Sequence, residues 1–275
     1  MKTVILGAAG MLGNALMHAF RASEPLGLDK DQLDITDKDA VFAKLAEIQP
    51  ELVINAAAYT SVDDAENNEA VAMRVNGYSI GYLAEFCAKK NALLVHFSTD
   101  YVFDGATHSG YHERSLTHPL NIYGQSKVFG EELLCESGAS YYLIRSSWLF
   151  GPDGSNFVKK MLEIGREKKE VRVVHDQIGK PTYTVDLAEA VRSLTAEKRP
   201  FGIYHLVNED PVSWFQFAQE ICAAANLSLQ VIPQSTEESS RPAKRPACSI
   251  LTNTRFPLLR SHKEALREYV RTLDL

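Results

Sequence analysis

Tyr123 and Lys127 stand four residues apart in the run Leu120-Asn121-Ile122-Tyr123-Gly124-Gln125-Ser126-Lys127. On a helix that spacing stacks a phenol over an ammonium on one face. A free phenol titrates near ~10, and a cation one turn away is expected to pull it toward neutral pH, a tenfold gain in acidity corresponding to about 1.4 kcal/mol. Such a pair suits carbonyl reduction. Because composition alone would supply one Tyr-x-x-x-Lys by chance, position decides: the pair begins a predicted helix, just after a strand ending in Ser98-Thr99-Asp100. A Thr99 hydroxyl at that strand's carboxyl edge could bond a substrate carbonyl oxygen while Tyr123 protonates it.

These residues need a frame, and the N-terminus supplies one. Thr3 to Leu6 is an apolar run entering Gly7-Ala8-Ala9-Gly10-Met11-Leu12-Gly13, Met11 to Arg21 carries apolar residues at helical spacing, and Leu26 to Leu28 is a second short strand. In that strand-to-helix setting Gly7, Gly10 and Gly13 allow a tight turn, backbone approach to a diphosphate and close helix packing, with the helix N-terminus as the anion site. Asp29, ending the second strand, can accept hydrogen bonds from an adenosine ribose. Its charge would favour NADH, whereas Lys30 beside it could pair with a ribose 2′-phosphate and favour NADPH, so either cofactor fits. Asp34 and Ile35 read either as adenine contacts or as helix-entry residues. Asn55 to Thr60, with small Ala57 and Ala58 before Tyr59, follows a strand and reads as a ribose approach or a structural turn.

The alternation continues along the chain. Thr36 is the expected N-cap of a helix reaching about Glu47, Leu52 to Ile54 is a strand, and a long helix is expected from about Glu69 to Lys89. A strand Leu93 to Phe97, a helix from Pro119 to Glu136 and a strand Tyr141 to Arg145 follow. Strands alternating with helices predict an α/β, doubly wound parallel sheet of Rossmann type. After Gly151-Pro152-Asp153-Gly154 the elements shorten, so residues 1–150 are read as the dinucleotide-binding core and 151–275 as a smaller substrate-binding lobe with segments returning to the core. Ser235 to Arg245 reads as a mobile loop, and a last amphipathic helix is expected from His262.

Bulk properties narrow the function. A net charge of -6 with no long basic run gives no nucleic-acid footprint. Val4 to Leu6 is too short for a signal-peptide core or a membrane span, so a cytosolic protein is expected. The four scattered cysteines, Cys87, Cys135, Cys222 and Cys248, lack metal-ligand spacing and read as reduced thiols, and no catalytic metal is expected at His175 and Asp176. On the substrate side, Asp100, Tyr101 and Phe103 adjoin Thr99. Trp148 could pack on a sugar face or belong to the core, Asn156, Gln177 and Lys180 are polar loop residues, and Arg245 could bind a diphosphate through its forked donors or merely keep a loop soluble.

Taken in order, Gly7-x-x-Gly10-x-x-Gly13, Ser98-Thr99-Asp100-Tyr101-Val102-Phe103-Asp104-Gly105 and Tyr123-Gly124-Gln125-Ser126-Lys127 resemble the extended short-chain dehydrogenase/reductase superfamily, and within it the dTDP-4-dehydrorhamnose reductase family. The likeness also covers Val62-Asp63, Asp176 to Thr182, and Arg245-Pro246 with Ser249 and Leu251; Cys248 and Thr252 depart from the family's usual residues. The resemblance implies NAD(P)H-dependent reduction of the C4 ketone of a dTDP-linked 4-keto-6-deoxyhexose. It places Thr99, Tyr123 and Lys127 on a catalytic triad. Gly10, Met11, Leu12, Asp29, Asp34, Ile35, Ala57, Ala58 and Tyr59 fall on cofactor contacts, and Asp100 with Trp148 on substrate contacts. A monomer or homodimer without nucleic-acid or membrane partners is expected; Ala15 replaces the glutamate through which some relatives bridge metal-linked dimers. The alternatives are another nucleotide-sugar reductase or epimerase, or a non-catalytic reductase-like regulatory subunit.

Overall fold

The computed structural model describes residues 1–273. It opens with β1 (Thr3–Leu6), α1 (Met11–Ala19), β2 (Leu26–Leu28), α2 (Lys38–Ile48) and β3 (Leu52–Asn55). Then come α3 (Val62–Ala65), α4 (Glu69–Met73), α5 (Ser79–Lys90), β4 (Leu93–Thr99), α6 (Ile122–Glu136) and β5 (Ser140–Ser146). The second half contributes β6 (Leu149–Phe150), α7 (Phe157–Glu167), β7 (Glu170–Val174), β8 (Ile178–Gly179), β9 (Thr182–Tyr183) and α8 (Thr184–Ala196). It ends with β10 (Gly202–His205), β11 (Val212–Ser213), α9 (Trp214–Ala224), β12 (Gln230–Gln234), α10 (Thr236–Ser239) and α11 (His262–Arg271).

Six strands form one parallel sheet in the order β10-β5-β4-β3-β1-β2. Its strands are apolar on both faces because helices cover both. Ile5, Ile54, Val95 and Ile144 pack with Leu16 of α1 and Leu187 and Val191 of α8. On the other face Val4, Val53, Leu94 and Leu143 meet Leu45 of α2 and Ile80 and Leu83 of α5. Strand order reverses at β1, whose neighbours are β2 and β3, and a ligand crevice opens at such a reversal beyond the carboxyl ends. Two elements of the second half belong to this body: β10 is its edge strand and α8 packs on α1. The rest surrounds a separate core of Phe150, Met161, Phe217, Ile221, Leu266 and Tyr269.

Three local readings change. Asp37, not Thr36, caps α2, its side chain accepting from the Ala40 N–H at 3.0 Å, while the Thr36 hydroxyl turns back to donate to Asp34 at 2.7 Å. The long helix expected from Glu69 to Lys89 is continuous but widens into a π-helical turn at Arg74–Tyr78. There the Asn76 side chain bonds both the N–H and the carbonyl of Tyr59 at 2.9 Å each. Ser235 to Arg245, read as loose, contains α10, whose capping box links Ser235 and Glu238. All four cysteines are free thiols, and among the described residues no helix is long and apolar enough to cross a membrane.

Candidate active site

A cleft of about 540 Å³ opens over β1, β2 and β3. Gly7, Gly10, Asp29, Asp34, Ile35, Ala57 and Ala58 line it, bringing together seven residues that the sequence singled out. Gly7 has φ +73°, and a Cβ there would lie 2.7 Å from the Ala57 nitrogen. The first turn of α1 has neither a side-chain cap nor an acidic residue, so its N–H groups face the cleft free to receive an anion. Met11, Leu12 and Gly13 form that turn, and a Cβ on Gly13 would meet the Gly7 carbonyl at 2.0 Å. Asn55 shapes the opposite wall, its side-chain oxygen accepting from the Ala57 N–H at 3.2 Å.

Asp29 accepts the Ala9 N–H at 3.0 Å, which ties the carboxylate to the glycine turn. Asp34 is held below the usual carboxylate range by hydrogen bonds from Thr36, with Lys30 and Arg74 adding favourable charge. Arg74 lines the cleft together with Lys30, yet nothing in the sequence singled it out, since it sits where an ordinary helix interior was expected. Tyr59 lies beside the cleft rather than lining it, its backbone pinned by Asn76 and its phenol given to Asp64. The open helix end, the glycine turn that excludes any side chain and the polar far wall fit a dinucleotide.

At the carboxyl end of β4 the chemistry gathers. Gly124 lets the start of α6 close on Tyr101, whose carbonyl would be 2.3 Å from a Cβ at that position. Asn121 caps α6 by accepting the Gly124 N–H at 2.7 Å. Tyr123 is thereby set beside Thr99, with the Tyr101 ring edge-on at 5.9 Å. Lys127, one turn on, is buried and donates to the Phe97 carbonyl at 2.9 Å. Thr99 donates to Asp100 at 3.0 Å, and Ser249 donates to the other Asp100 oxygen at 2.5 Å.

Electrostatics here correct the expectation of an acidic phenol. Burial pushes Tyr123 up to about 12; the Thr99 hydroxyl pulls it down and the Asp100 charge pushes it further up. One of the three Lys127 ammonium hydrogens goes to the Phe97 carbonyl, and burial brings the group down to about 8, opposed by Glu131. Tyr123 is therefore a neutral phenol at neutral pH, the form a proton donor must hold. Asp100 rises to about 6 through burial, resisted by its bonds from Ser249 and Thr99.

A second cleft, of about 360 Å³, lies between α7, β7 and the 239–245 segment, with Tyr101, Gln177 and Arg245 in its wall. Gln177 donates to Thr236 at 2.9 Å. Trp148 adopts φ +48°, uncommon for a bulky residue, and stacks on Trp214 at 3.6 Å, while Trp214 reaches the cleft wall. Trp214 carried one available signal, being one of only two tryptophans in the chain. Three substrate-side expectations are corrected. Phe103 is fully buried and stacked on Tyr111, a core residue beneath the site. Asn156 caps α7, accepting from the Lys159 N–H and donating to the Gly151 carbonyl. Lys180 is buried in an ion pair with Glu209 at 3.0 Å. Each is satisfied by protein and has little left to offer a ligand.

Comparison with known proteins places this geometry among relatives. The family described as the RmlD substrate binding domain matches residues 1–274. A dTDP-4-dehydrorhamnose reductase of Aggregatibacter actinomycetemcomitans is 41% identical over 93% of this chain and 92% of its own length. The spore coat polysaccharide biosynthesis protein SpsK of Bacillus subtilis is 40% identical over 98% and 96%. Among solved structures, dTDP-4-dehydrorhamnose reductase from Bacillus anthracis in complex with NADP superposes with a TM-score of 0.96 at 38% identity, covering 99% of this chain and all of that one.

Proposed function

The chain belongs to the RmlD substrate binding domain family, and from that premise we propose that it is an NAD(P)H-dependent oxidoreductase reducing the C4 ketone of dTDP-4-dehydro-L-rhamnose to dTDP-L-rhamnose. The observation that carries the reading is the meeting of Thr99, Tyr123 and Lys127 at the end of β4, beside a dinucleotide cleft and a second cleft rich in cations. The named activity of relatives 41% and 36% identical over 93% and 92% of this chain supports it.

The Gly7–Gly13 turn and the first turn of α1 would hold the pyrophosphate, and Asp29, Asp34 and Ile35 the adenosine end. Reduced nicotinamide supplies a hydride when bound. Tyr123, kept neutral by burial, donates its proton to the ketone oxygen as negative charge develops there. Thr99 orients that oxygen by turning its one hydroxyl hydrogen from Asp100 to the ketone once substrate is bound. Lys127, fixed by the Phe97 carbonyl, then stands near enough on the same helix face to stabilise the phenolate that donation leaves. Enclosure by the two clefts holds the reactants in register, which lowers the barrier without further chemistry. The reading keeps the cytoplasm as the compartment and a monomer or homodimer as the assembly.

The test is spectrophotometric: NADPH and NADH oxidation followed against dTDP- and UDP-linked 4-keto-6-deoxy sugars. Rapid oxidation with the dTDP-4-dehydro-L-rhamnose substrate is expected. Cofactor retained through purification with no oxidation of added NADPH would point to an epimerase, and inactivity with stable co-purification of another enzyme to a regulatory subunit.

A further inference from the structure

Asp63 lies on α3, in the first half of the chain, and reaches across to a segment 180 residues later. Its carboxylate accepts Arg245 Nη1 and Nη2 at 2.9 Å each, the Ala243 N–H at 3.2 Å and Arg241 Nη1 at 3.5 Å. Arg245 also donates Nη1 to the Ala243 carbonyl at 2.8 Å. Of the five guanidinium N–H groups, three are thus committed on one side, leaving two on the side of the Tyr101 phenol and the cleft. The cleft wall carries Lys160, Arg172, Arg241 and Arg245 and no carboxylate among its described lining residues. One acid therefore holds Arg245 by two bonds and touches Arg241 by one, and the trio keeps a net charge of +1 beside the further cations of the wall.

We propose that Asp63 is a positioning residue for substrate: it closes the 241–245 segment over the cleft and aims the free edge of Arg245 at the diphosphate of a nucleoside-diphosphate sugar. The proposal deepens the reductase reading and rests on it for the ligand class. A half-buried ion pair contributes little net stability when its desolvation cost is counted, whereas a guanidinium held from behind by a carboxylate loses less freedom when it meets a diphosphate. The Asp63 carboxyl is held below its ordinary range, chiefly by Arg245, so the clamp stays charged through neutral pH.

The experiment compares wild type, Asp63→Asn, Arg245→Ala and the double variant. It measures dTDP binding by calorimetry, NADPH binding by fluorescence, and KM and kcat separately. Expected for Asp63→Asn are a ~10–100-fold weaker dTDP Kd, a parallel rise in the nucleotide-sugar KM, and kcat and NADPH Kd within about threefold of wild type. The double variant should bind dTDP no more weakly than Arg245→Ala alone. An unchanged dTDP Kd in Asp63→Asn, fully additive losses in the double variant, or an equal fall in NADPH affinity each overturn the proposal. If Asp63→Asn does not fold, Asp63→Glu serves, since one extra methylene displaces the guanidinium: a several-fold rise in KM at unchanged kcat supports the proposal and KM within twofold refutes it. Wild type that binds dTDP yet reduces no 4-keto sugar sinks the reductase reading while leaving the Asp63 comparison readable.

Discussion

The floor of the cleft over Gly7 and Ala57 is made of backbone and small side chains, with charged residues such as Lys30 and Arg74 at one end, whereas the cleft at Gln177 and Arg245 is made of long side chains that other side chains hold in place. In the first, the shape follows from where a Cβ cannot go, as at Gly7 and Gly13. In the second, it follows from pairings such as Asp63 with Arg245 and Trp148 with Trp214, between residues remote in sequence. Backbone recognition suits a cofactor shared by many enzymes; side-chain recognition can be retuned to one sugar nucleotide. In the proposed reading Thr99, Tyr123 and Lys127 act between the two.

Four results would break or sharpen this contrast. Tyr123→Phe should lower kcat by about 10²–10⁴, the range for losing a general acid, while leaving Kd for NADPH and dTDP near wild type; parallel loss of either affinity would move Tyr123 out of the middle ground. Gly13→Ala forces a methyl against the Gly7 carbonyl, an overpacking worth about 1–3 kcal/mol. It should weaken NADPH by ~10–100-fold while dTDP binding holds, and equal losses would erase the distinction between the clefts. The third concerns pH. Lys127, lowered to about 8 by burial, carries its charge below that pH and loses it above, so kcat/KM should fall toward a decade per unit as pH rises past about 8. A profile flat to pH 10 would remove the ammonium from the mechanism. The smallest effect is expected at Arg74, an exposed cation on the cofactor side: Arg74→Ala should weaken NADPH by about 3–10-fold and NADH hardly at all. Equal weakening of both would assign Arg74 to the adenosine in general and not to a 2′-phosphate.

The same contrast explains what the sequence made legible. Apolar runs flanked by glycine and helical periodicity report local geometry, so β1, β2 and β3, the glycine turn and the Tyr123–Lys127 helix were readable directly, whereas Ala57, which lines the cleft, read equally as part of a structural turn. The π-helical turn was not readable, nor were the bonds within it between Asn76 and Tyr59, seventeen residues away. Arg74 opens that same turn. Phe103 and Asn156 sat in promising company yet are consumed by packing and capping, which depend on Tyr111 and Lys159 being where they are. The phenol's acidity failed for a related reason: helical spacing predicts proximity, but whether a buried ammonium faces its neighbour or the Phe97 carbonyl is settled by the strand beneath.

The most direct test follows the hydrogen itself. With NADPH carrying deuterium at the transferable nicotinamide C4 position and dTDP-4-dehydro-L-rhamnose as substrate, the label should appear at sugar C4 in one-to-one ratio with cofactor oxidised, read by NMR and mass spectrometry of the product. Label that stays in the cofactor, or a sugar returned unlabelled with an inverted centre, would contradict the account.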